Sequence, residues 1–279
     1  MTAKIRLGLI GDNIVRSKSP LLHRTAGKQC GLDVTYERLI PRDLGKDFDT
    51  VFAEAEAGGY RGINITYPYK EIVAGRVEIP DPLVRAIGAV NTVIFTPDGP
   101  VGYNTDYSGF MAAYRSTLGD TPPGIVCLIG TGGVGKAVAF GLLGLGASVI
   151  RCVDLDPSKA ADLAERLSKA EMGAKIESSS DAVAAAEGAT GLINCTPIGM
   201  FGHEGTPLPA KAMHGARWAF DAVYTPVETQ FLKDAGAAGL TVISGYELFF
   251  NQGIDAWSYF TGAPLDTARL RRDILGETL

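Results

Sequence analysis

Six residues near the middle of the chain, Gly130-Thr131-Gly132-Gly133-Val134-Gly135, restrict its fold more than any other feature. They follow an apolar, β-type run, Ile125 to Ile129, and precede an Ala- and Leu-rich stretch that reads as a helix. A strand that turns through glycines straight into a helix is the opening of a βαβ unit. The first glycine allows a sharp turn, the second lets backbone N–H groups approach a pyrophosphate, and the third lets helix pack closely on strand. A Gly-rich structural turn is the competing reading, but the position between strand and helix favours Gly130, Gly132, Gly133, Val134 and Gly135 as a phosphate-binding loop. The next strand, SVIRCV, ends at Asp154, 24 residues beyond Gly130, where a carboxylate accepts hydrogen bonds from the adenosine ribose. At about 5 Å and an effective dielectric constant near 20, that carboxylate repels a 2′-phosphate by roughly 3 kcal/mol. NAD is therefore the expected cofactor and NADP the disfavoured one. Capping the next helix is the competing role for Asp154, and Asp156, directly before Pro157, suits it better.

Length and charge bound the rest. At roughly 150 residues per domain, 279 residues suggest about two domains. With 46% hydrophobic and 20% charged residues the composition is that of an ordinary globular protein. Twenty-six Lys and Arg against 31 Asp and Glu give a net charge of −5 with no basic run, which argues against nucleic acid and anionic membranes and for a small-molecule partner. Cys30, Cys127, Cys152 and Cys195 show no CxxC spacing and read as reduced core thiols. His23, His203 and His214 are not spaced to share a metal, so no metal site is expected. The opening MTAKIRLGLIGDN lacks an apolar signal core, and the weakly polar stretch Ala137 to Ile150 is too short to span a bilayer, so the cytoplasm is the expected compartment. A monomer or a homodimer fits equally.

Along the first hundred residues short β-branched runs alternate with helical stretches: IRLGLI, a helix after Ser19-Pro20, VTYERLI, a helix from Pro41 to about Ala57, and GINIT. Two apolar runs flanking TPDGP read as an antiparallel pair at a sheet edge. A helix from Tyr107 to Leu118 precedes GDTPPG, and from Ile125 strands and helical crossovers recur to WAFDAVY. The expected architecture is α/β with two αβ domains: a mixed-sheet substrate domain (1–106), a Rossmann-type dinucleotide-binding domain (107–245), and C-terminal helices (246–279) packing back on the first, with a cleft between the domains.

Three polar clusters sit near strand ends: Asn64, Thr66 and Lys70 in GINITYPYK, Asn91 and Thr92 in GAVNT, and Asn104, Thr105 and Asp106 in GYNTD. Each alone is an ordinary turn. Together with Ser17-Lys18-Ser19-Pro20 before His23, GTGGVG, NCTPIGM, DAVYTP and SGYELFFNQG, however, they make the chain resemble the shikimate/quinate dehydrogenases over nearly its whole length. The resemblance implies that Lys70 and Asp106 form a catalytic pair beside the alcohol being oxidised. It implies that Ser17 and Ser19 hold the substrate carboxylate, that Thr66, Asn91, Gln252 and Tyr224 complete the substrate site, and that Thr196, Met200, Val223 and Gly245 line the nicotinamide site. The competing readings are that the two serines only start a helix and that Gln252 is an ordinary helical residue; His23 reads as structural.

The expected reaction is NAD-dependent, reversible oxidation of shikimate to the 3-dehydro acid, with quinate preference as the alternative. A lysine near the alcohol can accept its proton or stabilise the developing alkoxide while the cofactor takes the hydride. The proton is not assigned within the Lys70–Asp106 pair. Biosynthetic members commonly carry an Arg that clamps the 2′-phosphate where this chain has Leu155 between Asp154 and Asp156, so their NADP preference does not transfer. Quinate-oxidising members often have Thr at the position of Ser19, and Tyr67 and Glu247-Leu248-Phe249-Phe250 are also unusual. Two rival readings compete with this one. A folate-linked dehydrogenase fits the serine pair poorly, and a dinucleotide-sensing protein without turnover has no need of Lys70 and Asp106.

Overall fold

The β-branched runs of the first hundred residues become five strands. In the computed structural model, which describes residues 4–276, these are β1 (Ile5–Ile10), β2 (Val34–Leu39), β3 (Gly62–Ile65), β4 (Thr92–Thr96) and β5 (Gly99–Tyr103). Between them lie α1 (Ser19–Gln29), α2 (Pro41–Leu44), α3 (Phe48–Ala57), α4 (Lys70–Ala74) and α5 (Pro82–Ile87). The sheet order is β2-β1-β3-β4-β5, with β1 parallel to β2 and β3 and the last two strands antiparallel. The TPDGP turn joins β4 to β5, and β5 is the edge. The single helix expected over Pro41 to Ala57 is two: Gly45 ends α2 in the left-handed region at φ 65°, and Asp47 starts α3 by accepting from the Thr50 N–H at 2.7 Å.

The remaining chain forms α6 (Thr105–Leu118), β6 (Ile125–Ile129), α7 (Gly133–Gly144), β7 (Val149–Val153), α8 (Pro157–Lys169), β8 (Lys175–Ser179), α9 (Ala182–Ala186) and β9 (Gly191–Asn194). After a short 3₁₀ turn come β10 (Trp218–Asp221), α10 (Gln230–Ala237), β11 (Thr241–Ile243), α11 (Gly245–Thr261) and α12 (Thr267–Gly276). The six strands are parallel in the order β8-β7-β6-β9-β10-β11. Strands are laid outward from β6 on one side and from β9 on the other, so the topological switch, where such sheets bind ligands, lies between β6 and β9.

The chain divides into two compact units, the residues up to Thr105 with those from Gln252 onward, and Asp106–Asn251. The second division falls inside α11, between Asn251 and Gln252. In the first unit side chains alternate across the sheet: Leu7 and Leu9 join Tyr36, Ala256 and Phe260, while Ile10 joins Phe52, Ile63 and Val93 on the other face. The second unit's core includes Cys127, Ile129, Val153, Leu192 and Phe231. Burial pushes the Cys127 and Cys152 thiols up to about 12, as suits core thiols, whereas Cys30 and Cys195 are only half-buried. Cys30 lies at the C-terminus of α1, where its thiol donates to Pro264 O, and Cys195 lies just past β9, so neither belongs to a core run. Among the described residues no helix is long and apolar enough to cross a membrane.

Candidate active site

In the first unit a buried hydrogen-bond chain fixes the polar ends of β3 and β4. Tyr36 Oη donates to Asn64 Oδ1 at 2.8 Å, and Asn64 Nδ2 donates to Thr92 Oγ1 at 3.0 Å. Thr92 Oγ1 donates in turn to Asn91 Oδ1 at 3.0 Å, which also accepts from the Thr105 N–H at 2.8 Å. Asn91 Nδ2 donates to Thr105 Oγ1, and that hydroxyl donates to Gln252 Oε1 at 3.3 Å. Asn91 and Gln252 are therefore brought together through Thr105, and Gln252 is more than a helix-surface residue. Thr66 follows β3 directly, with its N–H on Ile10 O and its carbonyl on the Tyr69 N–H. Ser17 and Ser19 are both buried, and their hydroxyls meet at 3.2 Å. Neither is the N-cap of α1: that position is Lys18, without a side-chain cap.

Lys70 is the first residue of α4 and only 8% exposed; its carbonyl accepts from the Val90 N–H, which ties it to the GAVNT segment. Asp106, in the first turn of α6, is 5% exposed and opens the second unit directly after Thr105. Burying either ionisable group from water demands compensating partners, which makes both costly to keep for the fold alone.

In the second unit each glycine of the loop has a distinct task. Gly130 sits at φ 95°, and a Cβ there would lie 2.7 Å from the Cys195 carbonyl carbon across the switch point. Gly132 is the N-cap of α7 in extended backbone, and a Cβ on it would meet nothing within 4 Å, an open face beside a helix N-terminus. At Gly135 a Cβ would overlap the Gly130 carbonyl oxygen, so helix and strand meet there. Asp154 Oδ2 accepts from the Thr131 N–H at 3.0 Å and the Thr131 hydroxyl at 2.9 Å, while Oδ1 accepts from the Asp156 N–H. Partial burial works to raise the Asp154 carboxyl, but these hydrogen bonds outweigh it and hold the group below the usual carboxylate range. Asp156, not Asp154, caps α8. An open glycine, a helix N-terminus and an ionised acid after the second strand fit a dinucleotide.

The loops after β9 and β10 are organised by residues that sequence reasoning did not single out. Asn194 Oδ1 accepts from the N–H and hydroxyl of Thr196, and Nδ2 donates to Ile198 O and to Asp221 Oδ1, both at 3.0 Å. Asp221 Oδ1 also accepts from the Val223 N–H at 2.9 Å, and Oδ2 from the Thr229 hydroxyl at 2.6 Å. Thr229 in turn caps α10 through the Leu232 N–H. Asp221 has no solvent exposure, and burial pushes its carboxyl up to about 7 against the pull of these three donors. The available signal was a carboxylate inside the apolar run WAFDAVY. Gly245 opens α11 so close to this segment that a Cβ would lie 2.7 Å from Asp221 O. Met200 lies in the turn after Pro197, and Tyr224 stacks on Phe249 with ring centroids 4.7 Å apart.

Comparison with known proteins bears on this geometry. The shikimate dehydrogenase substrate binding domain family matches residues 9–93, and the NADP oxidoreductase, coenzyme F420-dependent, family matches residues 125–200. The quinate/shikimate dehydrogenase (NAD(+)) of Corynebacterium efficiens is 36% identical, covering 97% of this chain and 98% of its own length. The chain belongs to the shikimate/quinate dehydrogenase family. Another relative, the shikimate dehydrogenase (NADP(+)) of Pseudarthrobacter chlorophenolicus, is also 36% identical, over 98% of this chain and 95% of its own. Among solved structures, the quinate dehydrogenase from Corynebacterium glutamicum in complex with NAD matches with a TM-score of 0.87 at 33% identity, covering 98% of this chain and all of that one. Since relatives naming either dinucleotide match equally well, family membership establishes a dinucleotide cofactor without choosing between the two.

Proposed function

We propose that this protein is an NAD-dependent dehydrogenase of shikimate, with quinate as the weaker substrate. The observation that carries the cofactor choice is the end of β7, where an ionised Asp154 and Asp156 flank Leu155, a residue 91% exposed. That tripeptide offers no cation to a 2′-phosphate and two negative charges against it. Gly130, Gly132, Gly133, Val134 and Gly135 would hold the pyrophosphate, and Thr196, Met200, Val223 and Gly245 the nicotinamide end. When bound, the nicotinamide accepts a hydride from the carbinol carbon.

The substrate half of the reading rests on the first unit. The paired Ser17 and Ser19 hydroxyls suit a small carboxylate, and the array joining Asn91, Thr105 and Gln252 offers rigid donors and acceptors to ring hydroxyls, with Thr66 and Tyr224 assigned to the same task. Lys70 and Asp106 act as a pair on the hydroxyl proton, which leaves the oxygen as the carbonyl forms. The test is a four-way assay that follows reduced nicotinamide by its near-ultraviolet absorbance, with shikimate or quinate and NAD or NADP. Turnover should favour NAD over NADP by at least about tenfold in kcat/KM and shikimate over quinate. Equal or better use of NADP overturns the cofactor choice, and a higher kcat/KM for quinate overturns the substrate order.

A further inference from the structure

We infer that Asp221 is a positioning residue for hydride transfer, acting through Asn194 on the backbone of Thr196–Ile198 and directly on the Val223 N–H, with Thr229 holding its second oxygen; the inference rests on the proposed assignment of those segments to the nicotinamide end. The argument starts from the strand. Trp218, Ala219 and Phe220 of β10 are buried, and the strand then ends on a carboxylate with no exposure at all. A buried carboxylate is expensive, and an apolar residue of similar size is often as good or better for stability. What the carboxylate adds is a three-way link that no apolar residue makes. It accepts from Asn194 at the end of β9, from the Val223 N–H in its own turn, and from Thr229 at the start of α10.

The link propagates because Asn194 has no spare capacity. Its Oδ1 takes two bonds from Thr196 and its Nδ2 gives two, to Ile198 O and Asp221 Oδ1. An amide is close to symmetric in shape, so its orientation is decided by its partners. Asp221 Oδ1 already accepts from the Val223 N–H and so offers Asn194 an acceptor whether or not Oδ2, facing Thr229, carries a proton, which turns Asn194 Oδ1 toward the Thr196 N–H. An amide at 221 can present a donor there instead, and then either a buried donor pair collides or Asn194 flips and abandons Thr196. Gly245 leaves no room for the 221–223 backbone to relax toward α11. Gly130 of the pyrophosphate loop packs against the Cys195–Thr196 backbone, but the loop takes part in none of these side-chain bonds, whose targets at Ile198 and Val223 lie beyond that contact.

That separation gives a test with a readout that general loss of structure would not produce. ADP-ribose carries the adenosine and pyrophosphate of NAD without the nicotinamide. In the intact protein, Asp221→Asn should weaken NAD binding at least about tenfold by titration calorimetry while ADP-ribose affinity stays within about twofold. The primary deuterium isotope effect on kcat with carbinol-deuterated shikimate should rise, because hydride transfer becomes slower than product release. Thr229→Val, which removes one donor, should shift both quantities the same way, and Thr229→Ser, which restores it, should bring them back; these two variants carry the test if Asp221→Asn does not fold. Parallel loss of NAD and ADP-ribose affinity, an unchanged ratio, or a Thr229→Ser variant as damaged as Thr229→Val overturns the inference. A wild-type protein that binds ADP-ribose but turns over neither acid with either cofactor overturns the proposed function instead, so the two failures are distinct.

Discussion

Lys70 and Asp106 are the residues on which the proposed chemistry depends, and both keep an ionisable group almost entirely out of water. Lys70→Ala should lower kcat by about 10² to 10⁴ with a much smaller change in shikimate KM, measured by steady-state kinetics. Asp106→Asn should also lose activity, and the double variant should lose far less than the product of the two single losses. Ser19→Ala should raise shikimate KM with less effect on kcat, the pattern of lost uniform binding. Asp154→Ala should narrow the NAD preference. The hydrogen bonds from Thr131 add a consequence, because the variant leaves a buried threonine hydroxyl and amide without their acceptor. NADP affinity should therefore not reach that of wild type for NAD. Most of these residues were singled out because polar side chains cluster near strand ends, and the roles proposed for Ser19, Lys70 and Asp106 came from the family resemblance. Asn194, Asp221 and Thr229 were not, since their importance lies in partners that are distant in sequence and met only once the sheet is assembled.

At the level of elements, strands were the more readable. The five strands of the first sheet and β6, β7, β9 and β10 carry short β-branched or apolar runs bounded by turn residues, and β3, β9 and β10 are buried throughout. β11 was missed because three residues, two of them exposed, leave no alternation to detect. The stop at Gly45 and restart at Asp47 were present in the sequence but hidden by the apolar spacing that continues through them. The junction of β6 with α7 yields the sharpest test. Gly135→Ala puts a methyl group on the Gly130 carbonyl, so the helix must move away from the strand. NAD affinity should fall at least about tenfold, read by calorimetry, while shikimate binding by the first unit, read in the absence of cofactor, stays unchanged.

For the whole molecule, acid and base act with opposite signs on one deeply buried group in each unit. His23 is 1% exposed, stacked 4.9 Å from the Tyr36 ring with Trp257 and Phe260 close by, and burial drives its imidazole down to about 3 from 6.5. Below pH 6.5 the unfolded chain takes up a proton that the folded unit refuses, so stability present above that pH is lost as pH falls toward 3. Asp221 titrates near 7 folded and near 3.8 unfolded, so over that window the folded acid keeps a proton the unfolded chain has given up, and stability declines as pH rises. Difference curves against His23→Phe and Asp221→Asn, from denaturant unfolding, should slope in opposite directions, each by about 2–3 kcal/mol across two pH units. The aromatic cage around His23 also sets an order of events during translation. Trp257 and Phe260 belong to α11, so the first unit's earlier segment precedes the second unit yet lacks part of its core until those residues leave the ribosome. The second unit is unbroken in sequence and precedes them. At roughly 5–20 residues per second, the nascent chain therefore presents the whole cofactor half before the aromatic partners that complete the core around His23.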